Sequence, residues 1–304
     1  MLYHLFQKSF LWLLHWKNAD FGSYTRGHMF NYYLSPSVTA SYQTVLGRHF
    51  LKVMAGFQAE LQENSNAFTY KDGILSEDIF SFDNATGNVI ADENRTHWST
   101  TGFYARLNWN WKETVFAEFS GRADASSRFA HGCRWGLFPS FSAGFDLARM
   151  DFFMNADVPV TQLKFRISYG RLGNQSGAGL YRYLGLMTLN PSDANAWLLP
   201  GSSSEPSKGT VAYAPGMVSP HMTWEKADNA NVGLDVTAFD YRLSLTFDAY
   251  QRTTRDMLGP AESIPMIGGI APADRAKVNN AVLRNRGWEL SVNWSDILAC
   301  GFRY

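Results

Sequence analysis

Strict alternation of apolar and polar residues over long stretches limits this chain more than any other feature. From Thr101 to Trp111, Phe103, Ala105, Leu107, Trp109 and Trp111 share one parity, and Tyr104, Arg106, Asn108 and Asn110 share the other. Successive side chains of a β-strand point to opposite faces, so this segment predicts a strand with one apolar and one polar side. Helical spacing would scatter the same aromatics around an axis. The pattern returns at Leu163, Phe165, Ile167 and Tyr169, at Leu243, Leu245, Phe247 and Ala249, at Trp288, Leu290, Val292 and Trp294, and at Leu51, Val53, Ala55, Phe57 and Ala59.

About nine such strands are expected, at 37–46, 49–61, 98–111, 114–126, 135–148, 161–173, 222–238, 241–257 and 284–296. Most are longer than the roughly 5 or 6 residues usual in globular sheets, and they suit the about 9 to 11 that a tilted strand needs to cross a bilayer. The connections alternate in length. Short turns fall at Gly47–Arg48, Lys112–Glu113 and Phe239–Tyr241, with longer loops at 62–97, 127–134, 174–221 and 258–283. Short turns at one end and long loops at the other are the mark of an outer-membrane barrel. The connection 149–160 is long for its end, and 151–160 reads as a small plug of structure at the periplasmic rim.

The expected fold is therefore all-β, an antiparallel transmembrane β-barrel. It is a partial one, because lipid tolerates no open strand edge and bacterial single-chain barrels use even strand numbers. Residues 37–304 form the partial barrel, and 1–36 stay unassigned. The start, Met1 to Trp16, is a poor signal peptide: Lys8 and His15 interrupt the apolar residues, and no small-residue cleavage site follows. A truncated or mis-started reading frame accounts for it better.

Composition excludes other classes. No stretch approaches the roughly 20 apolar residues of a membrane helix. The 27 basic and 27 acidic residues cancel without long runs of either sign, so there is no basic stripe for nucleic acid. Aromatics make up 15% of the chain, which suits the girdles of a membrane barrel and equally the sugar-binding faces of a soluble all-β carbohydrate-binding module, the alternative reading. Cys133 and Cys300 are far apart; they are either a pair in an oxidising compartment or, more in keeping with the absence of a motif, two separate thiols.

Five blocks carry a family resemblance: Gly121–Phe129 with Trp135–Gly144; Leu163–Asn174; Thr223–Lys226 with Asn231–Asp235; Tyr250–Leu258; and Asn285–Leu290. In this order they resemble SusC/RagA-family TonB-dependent transporters, the nutrient importers of Bacteroidota. Ala123, Ala125 and Cys133 depart from the family pattern and put the turn geometry there in question, since glycine often supplies positive φ in such places. The resemblance implies an outer-membrane location in a Gram-negative cell and a barrel of about 22 strands, with a plug domain absent from this chain. It also implies import of oligosaccharides, peptides or other large nutrients, a SusD-like surface lipoprotein as partner, and energy from the TonB–ExbB–ExbD complex acting through the missing plug. No enzymatic activity and no cofactor are implied.

No site chemistry stands out. Seven histidines show no metal-ligand spacing, the glycines around 170–185 precede no Gly-Lys-Ser/Thr, and Ser202–Ser204 lack the nucleophile-elbow glycines. Catalytic, cofactor and metal residues are accordingly expected to be none. Arg106, Asn108, Glu118, Arg122, Asp124 and Arg166 fall on polar strand faces and read as lumen-lining, a wall of paired charges. Tyr181, Tyr183, Trp197 and Tyr213 are the loop aromatics able to stack on a sugar ring or, equally, to pack the loop against itself.

Overall fold

The structure, a computed structural model, describes residues 2–20, 22–76, 78–79, 81–150, 153, 158–190, 198–199, 207–208, 210–213, 217–260, 276–296 and 304. One antiparallel sheet of ten strands dominates it, in the order β1-β2-β3-β4-β5-β6-β7-β12-β13-β14. These are β1 (Leu2–Asp20), β2 (Ser23–Leu46), β3 (His49–Asp72), β4 (Val89–Trp111), β5 (Val115–Ser126), β6 (Trp135–Asp146), β7 (Val160–Asn174), β12 (Glu225–Ala238), β13 (Leu243–Pro260) and β14 (Lys277–Trp294). Four short strands between β7 and β12 form two small hairpins: β8 (Thr188–Asn190) pairs with β11 (Val211–Tyr213), and β9 (Leu198–Leu199) with β10 (Ser207–Lys208).

The alternating segments all become strands, but the sheet reaches further than expected. The segment 1–36, left unassigned by its sequence, supplies β1 and the first part of β2, which pair from Leu2↔Ser41 to Asp20↔Ser23. The long loop expected at 62–97 shrinks to 73–88, because 62–72 and 89–97 continue β3 and β4 as paired strand. These extensions read Gln62-Glu-Asn-Ser-Asn66 and Asp92-Glu-Asn-Arg-Thr-His97, polar on both faces, so no apolar parity announced them. Cross-strand pairs hold them instead: Arg95 with Glu63, Ser65 Oγ donating to Glu93 at 2.9 Å, and Trp98 Nε1 donating to Gln62 at 3.0 Å. The loop expected at 258–283 likewise narrows to 261–276.

The turns sort to two ends. Connections 47–48, 112–114 and 239–242 are tight, with positive φ at Gly47, Lys112, Glu113, Phe239, Asp240 and Tyr241. The longer connection 147–159 shares their end. It opens with a 3-10 turn, Leu147–Arg149, capped by Asp146, whose carboxylate accepts from Ala148 N at 3.2 Å. The plug expected at 151–160 lies mostly outside the described residues. At the other end are 73–88, 127–134, 175–224 and 261–276, with one short turn, 21–22. Ala123 and Ala125 sit in regular β5, paired with Leu137 and Trp135 and free of positive φ, so their departure from the family pattern has no backbone cost.

The burial pattern inverts that of a soluble protein. Phe103, Phe119, Phe165, Ile167, Val232, Leu290 and Val292 are all exposed on the apolar face of the sheet. An apolar surface of that extent marks contact with lipid or protein, not with water, and does not suit a soluble module. The main buried apolar cluster (Phe129, Phe138, Ala178, Met222 and Trp224) is small and lies at the long-loop end.

Candidate functional site

The opposite, polar face carries the candidate chemistry. Register places its residues in rows across the strands. Thr39, Gly56, Tyr104, Arg122 and Phe138 form one row, since Thr39 pairs with Gly56, Gly56 with Tyr104, Tyr104 with Arg122, and Arg122 with Phe138. The Tyr104 ring lies over Gly56, where a Cβ would come within 2.4 Å of it, and its hydroxyl reaches Thr39. The Arg122 guanidinium stands 5.8 Å from that ring, donates through Nε to Asp124 at 2.7 Å and through Nη1 to Gln58 at 3.2 Å. Arg106 pairs with Glu118 at 3.5 Å. Arg106, Arg122 and Asp124 line a recess of about 630 Å³ together with Gln58, Tyr104 and Phe138.

A second recess, of about 560 Å³, lies toward the tight-turn end and is lined by Asn108, Glu118, Lys164 and Arg166. Arg166 donates through Nε to Asp235 at 2.7 Å and through Nη2 to Asp248 at 3.2 Å. The Asn108 Oδ1 is buried and has no hydrogen-bond donor among the described residues. The six polar-face candidates thus come together as a charged wall. Each arginine is matched by a carboxylate on its own or a neighbouring strand.

The sequence singled out neither Tyr104, Gln58 nor Asp248 as a site residue, although Tyr104 shares its strand's polar parity with Arg106 and Asn108. Tyr104 and Gln58 carry no charge, the signal that marks five of the six candidates. Phe138 was missed for a different reason. An apolar side chain on the polar face reads as noise until Trp224 is seen to pack on it at 5.4 Å.

The loop aromatics divide. Tyr181, with φ of 58°, is tied to β4: its hydroxyl accepts from His97 N at 2.8 Å and lies 2.8 Å from His97 Nδ1. Its hydroxyl is thereby occupied in fixing the loop. Tyr183 is half-buried and Tyr213 exposed, while Trp197 lies outside the described residues. At the neighbouring loop 127–134, Arg128 stacks on Trp98 at 5.1 Å, and burial pulls its guanidinium below the ordinary arginine value. Cys133 is a free thiol; Cys300 lies outside the described residues.

Against known proteins, the family model described as TonB dependent receptor-like, beta-barrel, matches residues 2–304. The chain is 28% identical over 278 residues to the TonB-dependent receptor SusC of Bacteroides thetaiotaomicron, covering 90% of this chain and 26% of SusC. It is 25% identical over 260 residues to TonB-dependent receptor P3 of Formosa agariphila, covering 84% of this chain and 24% of that receptor. The RagAB peptide importer in its open-open state superposes with a TM-score of 0.72 at 25% identity, over 91% of this chain and 28% of that one. This chain spans about a quarter of the length of these relatives. The SusC/RagA resemblance read from the five sequence blocks is borne out by these matches.

Proposed function

The chain belongs to the TonB dependent receptor-like β-barrel family, and from that premise we propose that it forms part of the wall of a SusC/RagA-type importer in the outer membrane of a Gram-negative cell. The observation that carries this reading is the inverted sheet: an exposed apolar face for lipid and a polar face with paired charges for a lumen. Ten strands then belong to a larger closed ring of about 22, because the outer edges of β1 and β14 need partners within a bilayer. The tight turns face the periplasm, and the long loops face outward.

The cargo is an oligosaccharide, a peptide or another large nutrient that passes the wall formed by Arg106, Asn108, Glu118, Arg122, Asp124 and Arg166. Paired charges spaced by Asn and Ser offer donors and acceptors without a strong net field, which suits polar, weakly charged cargo better than a metal chelate. Tyr183, Trp197 and Tyr213 are the loop side chains proposed to meet it first, with Tyr181 fixing the loop that carries them. A SusD-like lipoprotein covers the long-loop end, and the TonB–ExbB–ExbD complex supplies energy through a plug. No bond of the cargo is made or broken.

The test is accumulation of labelled oligosaccharides and peptides by cells carrying the intact gene, with and without TonB. Uptake of one class that needs both the gene and TonB is the expected result. Uptake that survives loss of either, for every cargo, overturns the reading.

A further inference from the structure

The apolar face ends in a cationic tier on β7, β12, β13 and β14. Register gives the outward rows in order from the tight-turn end. Leu163, Val236, Leu245 and Val292 form one row, Phe165, Leu234, Phe247 and Leu290 the next, and Ile167, Val232, Ala249 and Trp288 a third. Then the character changes. Tyr169, Ala230, Gln251 and Arg286 form the fourth row, and Arg171, Asp228, Thr253 and Arg284 the fifth. Lys226 and Arg255 face each other in the row beyond.

Height fits a headgroup layer. The ten-residue step from Leu243 to Thr253 spans about 33 Å along a strand. With a tilt near 40° that is about 25 Å along the barrel axis, the height of the apolar band of such barrels. Tyr169 and Trp288 mark its border as interfacial aromatics do. The cations of the fifth row and beyond therefore stand at the level of lipid headgroups on the long-loop side.

Charge points the same way. Arg171 donates to Asp228 at 2.7 Å, Tyr169 donates to the same carboxylate at 3.0 Å, and Arg255 approaches it at 3.6 Å. Lys226 pairs with Asp256 at 2.9 Å, where β13 bulges through a residue of φ 56°. Arg284 and Arg286 are exposed and make no ion pair among the described residues. Among the described residues, five cations thus meet two carboxylates on one outward patch. Asp228 holds two guanidinium groups in place without neutralising them both, and two further arginines stand beside them. Guanidinium forks match phosphate oxygens bidentately.

We propose that this tier binds the phosphate-bearing headgroup of an anionic lipid in the outer leaflet. The proposal rests on the membrane-barrel reading above, in which the long loops face outward.

The test uses the intact protein in mild detergent with diphosphorylated lipid A as probe, retained lipid being counted by native mass spectrometry. Relative to the parent, Arg284→Gln with Arg286→Gln should weaken retention roughly 30-fold, the share of two interfacial cations. Resistance to heat unfolding in detergent should match the parent, which checks that the variant folds. Lipid A stripped of phosphate should be retained poorly by parent and variant alike, and Glu289→Gln on the opposite face should change nothing. Equal retention by parent and variant overturns the proposal. Displacement of the lipid by millimolar inorganic phosphate also overturns it, assigning the patch to free anions. Retention is read without uptake, so failure of the transport reading shows separately in the TonB experiment.

Discussion

Arg166, rooted on β7, reaches past the middle strand β12 to donate to Asp248 on β13 at 3.2 Å. The residue it passes is Gly233, paired with both partners, where a Cβ would stand 2.8 Å from the guanidinium carbon and 2.7 Å from the Asp248 oxygen. A glycine in a strand interior usually weakens it; here its missing side chain makes room for a three-strand clamp. Gly233→Ala should push the guanidinium aside and cost about 1–3 kcal/mol, as overpacking does. Asp248→Asn should cost less, about 1 kcal/mol or below, because Arg166 keeps Asp235 and its side chain remains 35% exposed. Thermal unfolding of the detergent-held barrel measures both. An unchanged midpoint for Gly233→Ala would remove the clamp from the account.

The two faces of β14 should respond oppositely to charge. Leu290 is 54% exposed on the apolar face, and Ser291 pairs with Thr246 on the polar one. Leu290→Arg is expected to cost about 2–4 kcal/mol if it meets the bilayer midplane. Ser291→Arg should cost far less, since it joins a wall already holding Glu289 and Asp248. Folding titrations into lipid vesicles compare the two variants, and similar penalties would contradict the assigned faces.

What the sequence made legible follows from where one face is apolar. Phe103, Leu107 and Trp109 set their strand's parity beyond mistake, and the polar candidates came from the same parity. Residues 62–66 and 92–97 carry no period-two signal, because the strand there is polar on both sides. Only the partners, Glu63 with Arg95 and Ser65 with Glu93, reveal it. The N-terminal strands escaped for a related reason: Tyr32 and Tyr33, or Leu13 and Leu14, break the alternation with adjacent apolar residues. Asp248 and Gly233 became site residues only through register, which relates positions 82 residues apart in the Arg166–Asp248 bond.

Topology predicts which end of the barrel is reached from outside. An epitope inserted after Asp78, in the connection 73–88, should be cleaved by protease on whole cells. One after Lys112, in the tight turn 112–114, should be protected until the cells are opened. Cleavage of the second alone on whole cells would reverse the orientation, and cleavage of both would remove the two-ended topology; either result overturns the headgroup assignment of the cationic tier.

The loop 175–224 should depend on Tyr181 more than on any other described tyrosine in it. Tyr181 occupies a left-handed backbone position, φ 58°, which a non-glycine residue adopts at some cost. The return comes from its hydroxyl, which takes the His97 backbone N–H and lies against His97 Nδ1 while the two rings meet edge-on at 5.5 Å. Tyr181→Phe keeps the ring contact and removes the acceptor, leaving the His97 N–H to water because the site is exposed. The expected cost is about 0.5–1.5 kcal/mol of local stability, with little change in the unfolding midpoint of the barrel. Tyr181→Gly would relieve the backbone but lose both contacts, so it should loosen the loop further. Hydrogen exchange across 175–190, read by mass spectrometry, separates these outcomes: faster exchange in the order parent, Phe, Gly supports the tether. Parent-like exchange in the Phe variant would show that the hydroxyl contributes nothing and that ring packing alone holds the loop to β4.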